Sequence, residues 1–306
     1  MTAALIALAV LIGLIVLRMP IGFAMMGVGF GGLVLLRDLS AASNMVSYQV
    51  FEVATNYHFV VLPLFVLMGV FVSRARLSDD LYDACNAWLG HFRGGLAFAT
   101  IAACGGFAAI SGSSAATAAT MAKVAMPSMR RYGYDAPFAA GTVAAGGTIG
   151  ILIPPSALMI IYGILTETDI GALFIAGILP GLLTIAIYFA VIFVTVRIKP
   201  EYGPMGERTA WDERLRALGR VWGVVVLFVL VLGGIFIGAF TASEAAGIGA
   251  GGALAFAVGR RRLNLRQLVL SLIEAGYVSA QIFTVVFGAL VFNLFINLSG
   301  MPEALI

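Results

Sequence analysis

Two stretches interrupt apolar sequence, one rich in hydroxyl residues and one rich in glycine and proline, and both contain residue types suited to holding a small ion. The first is the run Ser111-Gly112-Ser113-Ser114-Ala115-Ala116-Thr117. Hydroxyl and carbonyl oxygens suit a hard cation such as sodium, and the amides that begin a following helix suit an anion. We therefore expect an ion- or substrate-binding tip made of Ser111, Gly112, Ser113, Ser114 and Thr117. The alternative is a Ser/Gly kink that only packs against another helix.

The second stretch runs from Gly146 to Ser156 and contains the tandem prolines Pro154-Pro155. These prolines lack amide donors and push Ile153 out of the helical region, so the helix must break here. A break leaves carbonyl oxygens without intrahelical partners. The ion-binding candidates of this stretch are Gly147, Thr148, Gly150, Ile153, Pro154 and Pro155. A simple proline kink is the alternative.

The acidic residues lie away from the centres of the apolar segments, at loops or interfaces: Glu52, Glu167, Asp169, Glu201, Glu244 and Glu274. Proton relays in membranes use buried acids or histidines. If this chain uses an ion gradient to drive transport, the pattern therefore favours sodium over protons as the driving ion. No carboxylate cluster or Cys/His set suggests another metal, and we expect no organic cofactor.

A membrane serine peptidase is the enzymatic alternative, with Ser113 or Ser114 as its nucleophile. Such an enzyme needs a base beside the nucleophile. His58 and His91 are expected near the membrane surface, and Lys123 lies further along the segment that follows the serines. We therefore do not expect an enzyme.

The composition places these stretches in a membrane. Of the 306 residues, 61% are hydrophobic and 11% are charged, which excludes a soluble globular protein. We expect an all-α polytopic membrane protein. The net charge of +3 leaves no large basic surface for nucleic acid. Ala3–Leu17 lacks a basic region ahead of it and is expected to be a retained helix rather than a signal peptide.

The apolar runs predict spans separated by amphipathic pieces. The predicted spans are Ala3–Leu17, Pro20–Leu36, His58–Ser73, the broken Phe138–Leu165, Leu173–Val196, Val221–Phe240, Ala242–Val258 and Tyr277–Leu298. The amphipathic pieces are Ser40–Asn56, Leu77–His91 and Leu263–Glu274. We expect Leu77–His91 to lie in the membrane interface.

The run Leu96–Met126 has the wrong length for a simple span. As one helix it would be about 45 Å long, too long for a core of about 30 Å, and it is too short for two full crossings. Arg93 and Arg130 flank it, and both favour the cytoplasm. We therefore expect a re-entrant hairpin with arms near Leu96–Ile110 and Ala115–Met126.

Basic residues set the expected orientation. One arrangement leaves every Lys and Arg except Arg37 and Lys123 on the cytoplasmic side. It places the loops Thr166–Asp169 and Thr241–Glu244 outside. The N-terminus is then external.

An internal repeat is visible at an offset of 220 residues (247 − 27). Its matched glycines are Gly27, Gly29, Gly31 and Gly32, then Gly247, Gly249, Gly251 and Gly252. The two glycine helices are expected to cross in opposite directions, which makes the repeat inverted, as is common in secondary transporters. A complete second unit would reach about residue 419 (199 + 220). We therefore expect a second hairpin and a second proline-broken helix beyond Ile306, so that this chain is C-terminally incomplete.

Several motifs together resemble the large membrane subunit of tripartite ATP-independent periplasmic (TRAP) transporters. They are Phe107-Ala-Ala-Ile-Ser-Gly-Ser-Ser-Ala-Ala-Thr-Ala-Ala119, Pro127-Ser-Met129, Tyr132-Gly-Tyr134, Gly150-Ile-Leu-Ile-Pro-Pro-Ser156 and Leu173-Phe-Ile-Ala-Gly-Ile-Leu-Pro-Gly181. The resemblance implies an elevator-type sodium-driven transporter. It also implies that sodium lies between a hairpin tip and a broken helix, which here are Ser111–Thr117 and Gly147–Pro155.

The same resemblance implies partners and a location. These are a small four-helix membrane subunit, a periplasmic substrate-binding protein and a bacterial or archaeal cytoplasmic membrane. The substrate would be an organic acid such as a C4-dicarboxylate, sialic acid or a 2-oxo acid, and no residue selects among them. A stand-alone sodium/dicarboxylate symporter and a non-transporting membrane assembly subunit are the alternatives.

The organisation expected from these features has four segments. Residues 1–92 would hold the scaffold spans and interfacial helices of the first repeat, and residues 93–165 the hairpin and broken helix of a transport domain. Residues 166–220 would hold a connecting span and a cytoplasmic loop. Residues 221–306 would begin the second, truncated repeat.

Overall fold

Helices make up the regular structure of the chain. The computed structural model describes residues 2–305, and the only β-type pairing within them is an isolated bridge between Arg93 and Met205. Such an absence of strands confirms the all-α class, because a membrane-embedded backbone must satisfy its own hydrogen bonds.

The helices of the first third follow the predicted segments closely. They are α1 (Thr2–Val16), α2 (Ile21–Leu36), α3 (Leu39–Thr55), a 3₁₀ turn (Tyr57–Val60), α4 (Val61–Arg74) and α5 (Leu77–Leu89). Asp38 precedes α3, and its side chain accepts a hydrogen bond from the Ala41 amide at 2.8 Å. This N-cap fixes where the amphipathic helix begins.

The central third contains two interrupted helical pairs. Its elements are α6 (Gly95–Ser111), α7 (Ser114–Arg131), α8 (Ala136–Thr148), a 3₁₀ turn (Ile149–Ile151) and α9 (Ala157–Leu165). Both interruptions coincide with the two stretches that the sequence predicts to be special.

The elements of the last third are α10 (Ile170–Ile198), a 3₁₀ turn (Pro200–Tyr202), α11 (Trp211–Arg220), α12 (Trp222–Phe228), a π-helical turn (Val229–Gly233), α13 (Gly234–Phe236), α14 (Ala242–Gly259), α15 (Leu265–Leu298) and α16 (Met301–Leu305). This third contains the two longest helices of the described residues, α10 and α15.

Two predicted boundaries are wrong here. The amphipathic piece Leu263–Glu274 and the span Tyr277–Leu298 form the single helix α15, because no proline separates them. The span predicted to reach Phe240 ends at Phe236, because Gly238 adopts φ +72° and the amide of Phe240 bonds back to the Gly234 carbonyl.

Within the described residues, four helical segments are long and apolar enough to cross a membrane: Tyr57–Arg74, Ile170–Ile198, Ala242–Gly259 and Leu265–Leu298. Shorter apolar helices accompany them, including α1, α2 and α6. This confirms a multi-pass membrane protein. The direction of each crossing stays a prediction.

The chain divides into two compact units, one formed by the residues up to Phe59 together with those from Gly276 onward, the other by Val60–Ala275. In the first unit, Leu33 of α2 and Phe295 of α15 share a buried core with Ala7 and Ala42. In the second unit, α4 lies against α14, where a Cβ on Gly249 would be 2.5 Å from the Met68 sulfur. The four functional segments expected from sequence stay a prediction.

The matched glycines share one packing pattern. In each set the second and fourth glycines lie against another helix, and a Cβ on the first or third would meet no described atom within 4 Å. The packed ones are Gly29, Gly32, Gly249 and Gly252; the open ones are Gly27, Gly31, Gly247 and Gly251. The internal repeat and the opposite direction of its two copies both stay predictions.

Candidate functional site

The hairpin is built by two antiparallel helices. The Ser111 and Thr117 hydroxyls lie 2.9 Å apart at the tip, and the Thr100 hydroxyl reaches the Met129 sulfur at 3.9 Å towards the other end. The arms α6 and α7 are longer than predicted. α7 continues to Arg131, because basic residues in the last turn complement the negative end of the helix dipole.

The turn at the tip follows from two residues. Gly112 ends α6 with φ +59°, a left-handed conformation that glycine adopts without strain. Ser113 then begins α7 as its N-cap, and its hydroxyl accepts a hydrogen bond from the Ala116 amide at 3.3 Å. The predicted interruption at the hydroxyl run is thus a two-residue turn.

The tip hydroxyls form a short chain. Thr117, fully buried, donates its hydroxyl proton to the Ser113 carbonyl at 2.8 Å. Because a hydroxyl has a single proton, Ser111 must then be the donor in its contact with Thr117. The lone pairs of the Ser111 hydroxyl remain available to a ligand.

The broken helix departs from helical geometry at residues 152–156, between the 3₁₀ turn and α9. Its Pro154–Pro155 peptide bond is cis. None of the hydrogen bonds of residues 2–305 ends on the carbonyl oxygens of Leu152, Ile153, Pro154 or Pro155. The predicted break is present, and it leaves oxygen atoms for other partners.

The hairpin tip touches the break directly. The Gly112 carbonyl accepts a hydrogen bond from the Ala157 amide at 3.3 Å, where α9 begins. A Cβ on Gly112 would lie 2.6 Å from the Pro155 carbonyl oxygen. Only glycine fits here, both for its positive φ and for this close approach.

The helical side of the break lies equally close to the tip. A Cβ on Gly150 would be 2.6 Å from the Ser113 carbonyl oxygen and 2.7 Å from the Thr117 hydroxyl oxygen. One turn earlier, a Cβ on Gly147 would be 2.6 Å from the Cβ of Ala118. The backbone of the second stretch therefore lies directly on the first turn of α7.

Ser156 is a site residue that the sequence-derived candidates do not include. It is completely buried, it precedes α9, and its hydroxyl has no hydrogen-bond partner. An unsatisfied buried hydroxyl costs about 1–3 kcal/mol, and a bound ion is one kind of partner that removes this cost. The signal for it was its place directly after Pro154-Pro155, where a new helix must begin.

Two candidates from the second stretch contribute differently from the rest. The Thr148 side chain is exposed and bonds to the Ala145 carbonyl at 2.7 Å and the Tyr188 hydroxyl at 2.8 Å. It therefore points towards α10. Ile153 lies against Gly181, so only its backbone is open to a ligand.

Two further helices close the site. A Cβ on Gly69 of α4 would lie 3.2 Å from the Ser111 Cα, and one on Gly177 of α10 would lie 2.9 Å from the Leu152 carbonyl oxygen. Gly69 and Gly177 are not among the candidates predicted from sequence, because a glycine in an apolar helix has no distinguishing local signal.

The electrostatics of the site come from neutral oxygens and helix ends. Among the described residues no group of three or more His, Cys, Asp or Glu side chains is placed to hold a metal. The C-terminal ends of α6 and of the Ile149–Ile151 turn favour a cation, and the N-terminal ends of α7 and α9 favour an anion. The arrangement can hold both a small cation and an anionic group.

Comparisons with known proteins give one family. The model of the tripartite ATP-independent periplasmic transporter, DctM component, matches residues 8–306. A C4-dicarboxylate TRAP transporter large permease protein of Pseudomonas aeruginosa is 37% identical over 277 residues, covering 90% of this chain and 64% of the relative.

Relatives with other substrates in their names are similar too. An ectoine/5-hydroxyectoine TRAP transporter large permease protein of Ruegeria pomeroyi is 32% identical over 94% of this chain and 68% of its own length. A sialic acid TRAP transporter large permease protein of Vibrio cholerae is 31% identical, over 96% and 68%. The chain thus spans about two thirds of the length of these relatives.

Proposed function

Since the chain belongs to the tripartite ATP-independent periplasmic transporter family as its DctM-type large membrane component, we propose that it is the permease of a sodium-driven importer of organic acid anions. The names of its relatives include C4-dicarboxylate, sialic acid and ectoine. They support a small, charged organic solute, and they leave the individual substrate open.

The sodium part of the proposal rests on the donor set. The Ser156 hydroxyl, the Ser111 hydroxyl and the carbonyls of residues 152–155 offer neutral oxygen atoms, with no competing carboxylate in the hairpin tip or the break. Such oxygens suit a hard monovalent cation, and the helix C-terminal ends add a favourable partial charge. A bound sodium ion would satisfy the Ser156 hydroxyl, which otherwise stays unpaired.

The coupling follows from where the ion would lie. An ion held by the tip of α6–α7 and by the break before α9 would fasten these two elements together. The N-terminal ends of α7 and α9 would then be fixed in the orientation that favours an anionic substrate group. Sodium binding would therefore raise substrate affinity, and the hairpin and broken helix would move as one elevator-type transport domain.

The proposed assembly includes two partner proteins. A periplasmic binding protein would deliver the substrate, and a small four-helix membrane subunit would support the permease. The protein would lie in a bacterial or archaeal cytoplasmic membrane with its N-terminus outside, as the distribution of basic residues predicts.

The observation that carries this proposal is the contact between the hairpin tip and the break, with the unpaired Ser156 hydroxyl beside it. The test is uptake into proteoliposomes that contain the full-length permease, its small subunit and its binding protein. We expect uptake with an inward sodium gradient and none with a proton gradient alone. Each protein component is then left out in turn, and we expect uptake to fail each time.

Two outcomes would contradict the proposal. Full uptake by the permease without a binding protein would favour a stand-alone sodium symporter. Uptake at the same rate in sodium-free buffer under a proton gradient would rule out sodium coupling.

A further inference from the structure

A groove of about 500 Å³ lies at the end of α6 opposite the hairpin tip, between the turn that enters α6 and the last turns of α10. Its walls are apolar and aromatic, and they include Phe98, Phe189 and Phe193. The charged residues that line it are Arg93 and Arg197. This volume falls within the range of roughly 300–1,000 Å³ that small-molecule sites occupy.

The backbone around the groove is held in place by several contacts. A Cβ on Gly94, which has φ +71°, would lie 2.9 Å from the Val196 side chain. The Gly94 amide also donates to the Gly203 carbonyl at 2.9 Å, and Arg93 forms its bridge with Met205. These contacts bring the turn against the end of α10. Arg93 and Arg197 therefore line the same groove.

Neither groove arginine is in an ion pair. In the part of the chain that the structure describes, the ion pairs are those of Arg74 with Glu274 and of Arg260 with Asp80. Arg93 and Arg197 are both exposed, and the Arg197 guanidinium carbon lies 5.7 Å from the centre of the Phe193 ring. Two unpaired guanidiniums beside an aromatic wall fit a ligand with an anionic group and an apolar body.

Along α10, the charged residue of the groove lies at the helix end and the aromatic residues lie further inside the apolar segment. Arg197 lies in the last turn of this apolar helix, where a helix that crosses a membrane is expected to reach the membrane–water interface. Phe193 and Phe189 lie about one and two turns deeper. Phe189 packs edge to face against Phe98 at a centroid distance of 5.2 Å. An anion at the arginines would thus be continuous with an apolar path towards the membrane core.

We propose that this groove binds an anionic phospholipid, with the phosphate between Arg93 and Arg197 and one acyl chain along Phe193, Phe189 and Phe98. The site is separate from the hairpin tip, and its existence does not depend on the transported substrate. Basic residues close to the membrane surface attract the anionic headgroups of lipids. A lipid here would secure the entry to α6, the first arm of the hairpin, against α10.

The test uses delipidated full-length protein in detergent and native mass spectrometry. Phosphatidylglycerol and phosphatidylcholine with identical acyl chains are titrated separately. We expect the double variant Arg93→Gln/Arg197→Gln to bind phosphatidylglycerol about tenfold more weakly, with a smaller loss for phosphatidylcholine, whose choline cation offsets the charge of its phosphate. Leu89→Trp, which keeps both arginines and adds bulk to the groove, should weaken phosphatidylglycerol binding as well.

The matched control is Arg130→Gln/Arg131→Gln, which removes the same charge at the end of α7, outside the groove. Equal loss in this control would overturn the proposal, because it would indicate general attraction to basic residues. Displacement of the lipid by glycerol 3-phosphate at equal concentration would overturn it too, since the acyl chain would then add nothing. The same titration is repeated on the complex with the small subunit. If the double variant no longer changes phosphatidylglycerol binding there, the small subunit covers the groove, and the groove is a protein interface instead of a lipid site.

Discussion

Gly150 of the broken helix lies so close to Thr117 of the hairpin that a Cβ on the glycine would be 2.7 Å from the threonine hydroxyl oxygen. This approach joins two stretches of sequence that are more than thirty residues apart (150 − 117 = 33). It also brings backbone, hydroxyls and a helix N-terminus into one small volume. The proposed ion site depends on that approach.

The first prediction concerns this contact. Gly150→Ala should separate the tip from the break, lower the free energy of unfolding by about 1–3 kcal/mol and abolish sodium-dependent uptake by the full-length protein. Gly141→Ala in α8 is the control, because a Cβ there meets no described atom within 4 Å. Thermal unfolding in detergent and uptake are measured for both. Equal behaviour of the two variants would contradict the contact.

The second prediction concerns helix packing in the first unit. A Cβ on Gly29 would lie 2.8 Å from the Phe292 Cα, whereas one on Gly27 would meet open space. Gly29→Ala should therefore destabilise the protein by about 1–3 kcal/mol, because α2 and α15 must separate. Gly27→Ala should be neutral or slightly stabilising, since alanine favours a helix. The measurement is the melting temperature of each purified variant, and a larger loss for Gly27→Ala would refute the packing.

The third prediction concerns topology. If the hairpin is re-entrant, cysteines placed at Arg93 and Arg130 are both labelled from the cytoplasmic side in a background without Cys85 and Cys104. The physical reason is that both positions are basic flanks of one interrupted run. A membrane-impermeant maleimide applied to intact and to permeabilised cells distinguishes the sides. Labelling of one position from outside and the other from inside would exclude a re-entrant hairpin.

The fourth prediction is a pH dependence in the loop region. The Arg214 guanidinium lies 3.3 Å from Nδ1 of His91 and beside the Trp88 and Trp211 rings, with ring-centre distances of 5.9 and 5.3 Å. Partial desolvation and the charges of Arg214 and Arg208 lower the pKa of His91 below its ordinary value. Protonation of His91 therefore opposes the docking of α11.

A lowered pKa in the docked state means that the undocked state binds the proton more readily. Neutral His91 thus contributes fully to the stability of the docked α11 above about pH 6.5, the ordinary pKa of histidine. This contribution decreases as the pH falls below that value. Hydrogen exchange of Trp211–Arg220 should speed up between pH 7.5 and 5.5 beyond the intrinsic pH effect. In His91→Gln this extra acceleration should vanish, and its persistence there would assign the effect to another group.

The sequence was enough to predict the elements of the site, and not how its side chains are directed. Residue type located the interruption within Ser111–Ser114 and the break at Pro154-Pro155, because backbone conformation there is dictated locally. The direction of Thr148 towards Tyr188 and the burial of Ser156 depend on how separate helices pack. Such tertiary contacts leave no periodic signal in one sequence.

The prediction of helix boundaries was wrong near Glu274 for a related reason. A change from amphipathic to apolar pattern near Glu274 predicted two helices, yet the backbone continues as one because nothing interrupts its hydrogen bonds. Glu274 itself pairs with Arg74 of α4 at 2.6 Å. A charged residue in the middle of a long helix therefore marks a contact here rather than a boundary.

The fifth prediction concerns the proposed ion site itself, and its most direct test is the sodium dependence of uptake by Ser156→Ala in the full-length permease, reconstituted with its partners. Ser271→Ala is the matched control, because Ser271 is equally buried but its hydroxyl donates to the Gln267 carbonyl of its own helix at 2.8 Å. We expect the sodium concentration for half-maximal uptake to rise by about tenfold or more in Ser156→Ala, equivalent to the loss of about 1.4 kcal/mol of ion binding, and to stay unchanged in Ser271→Ala. An unchanged sodium dependence in a folded Ser156→Ala protein would contradict an ion site at the junction of the hairpin tip and the broken helix.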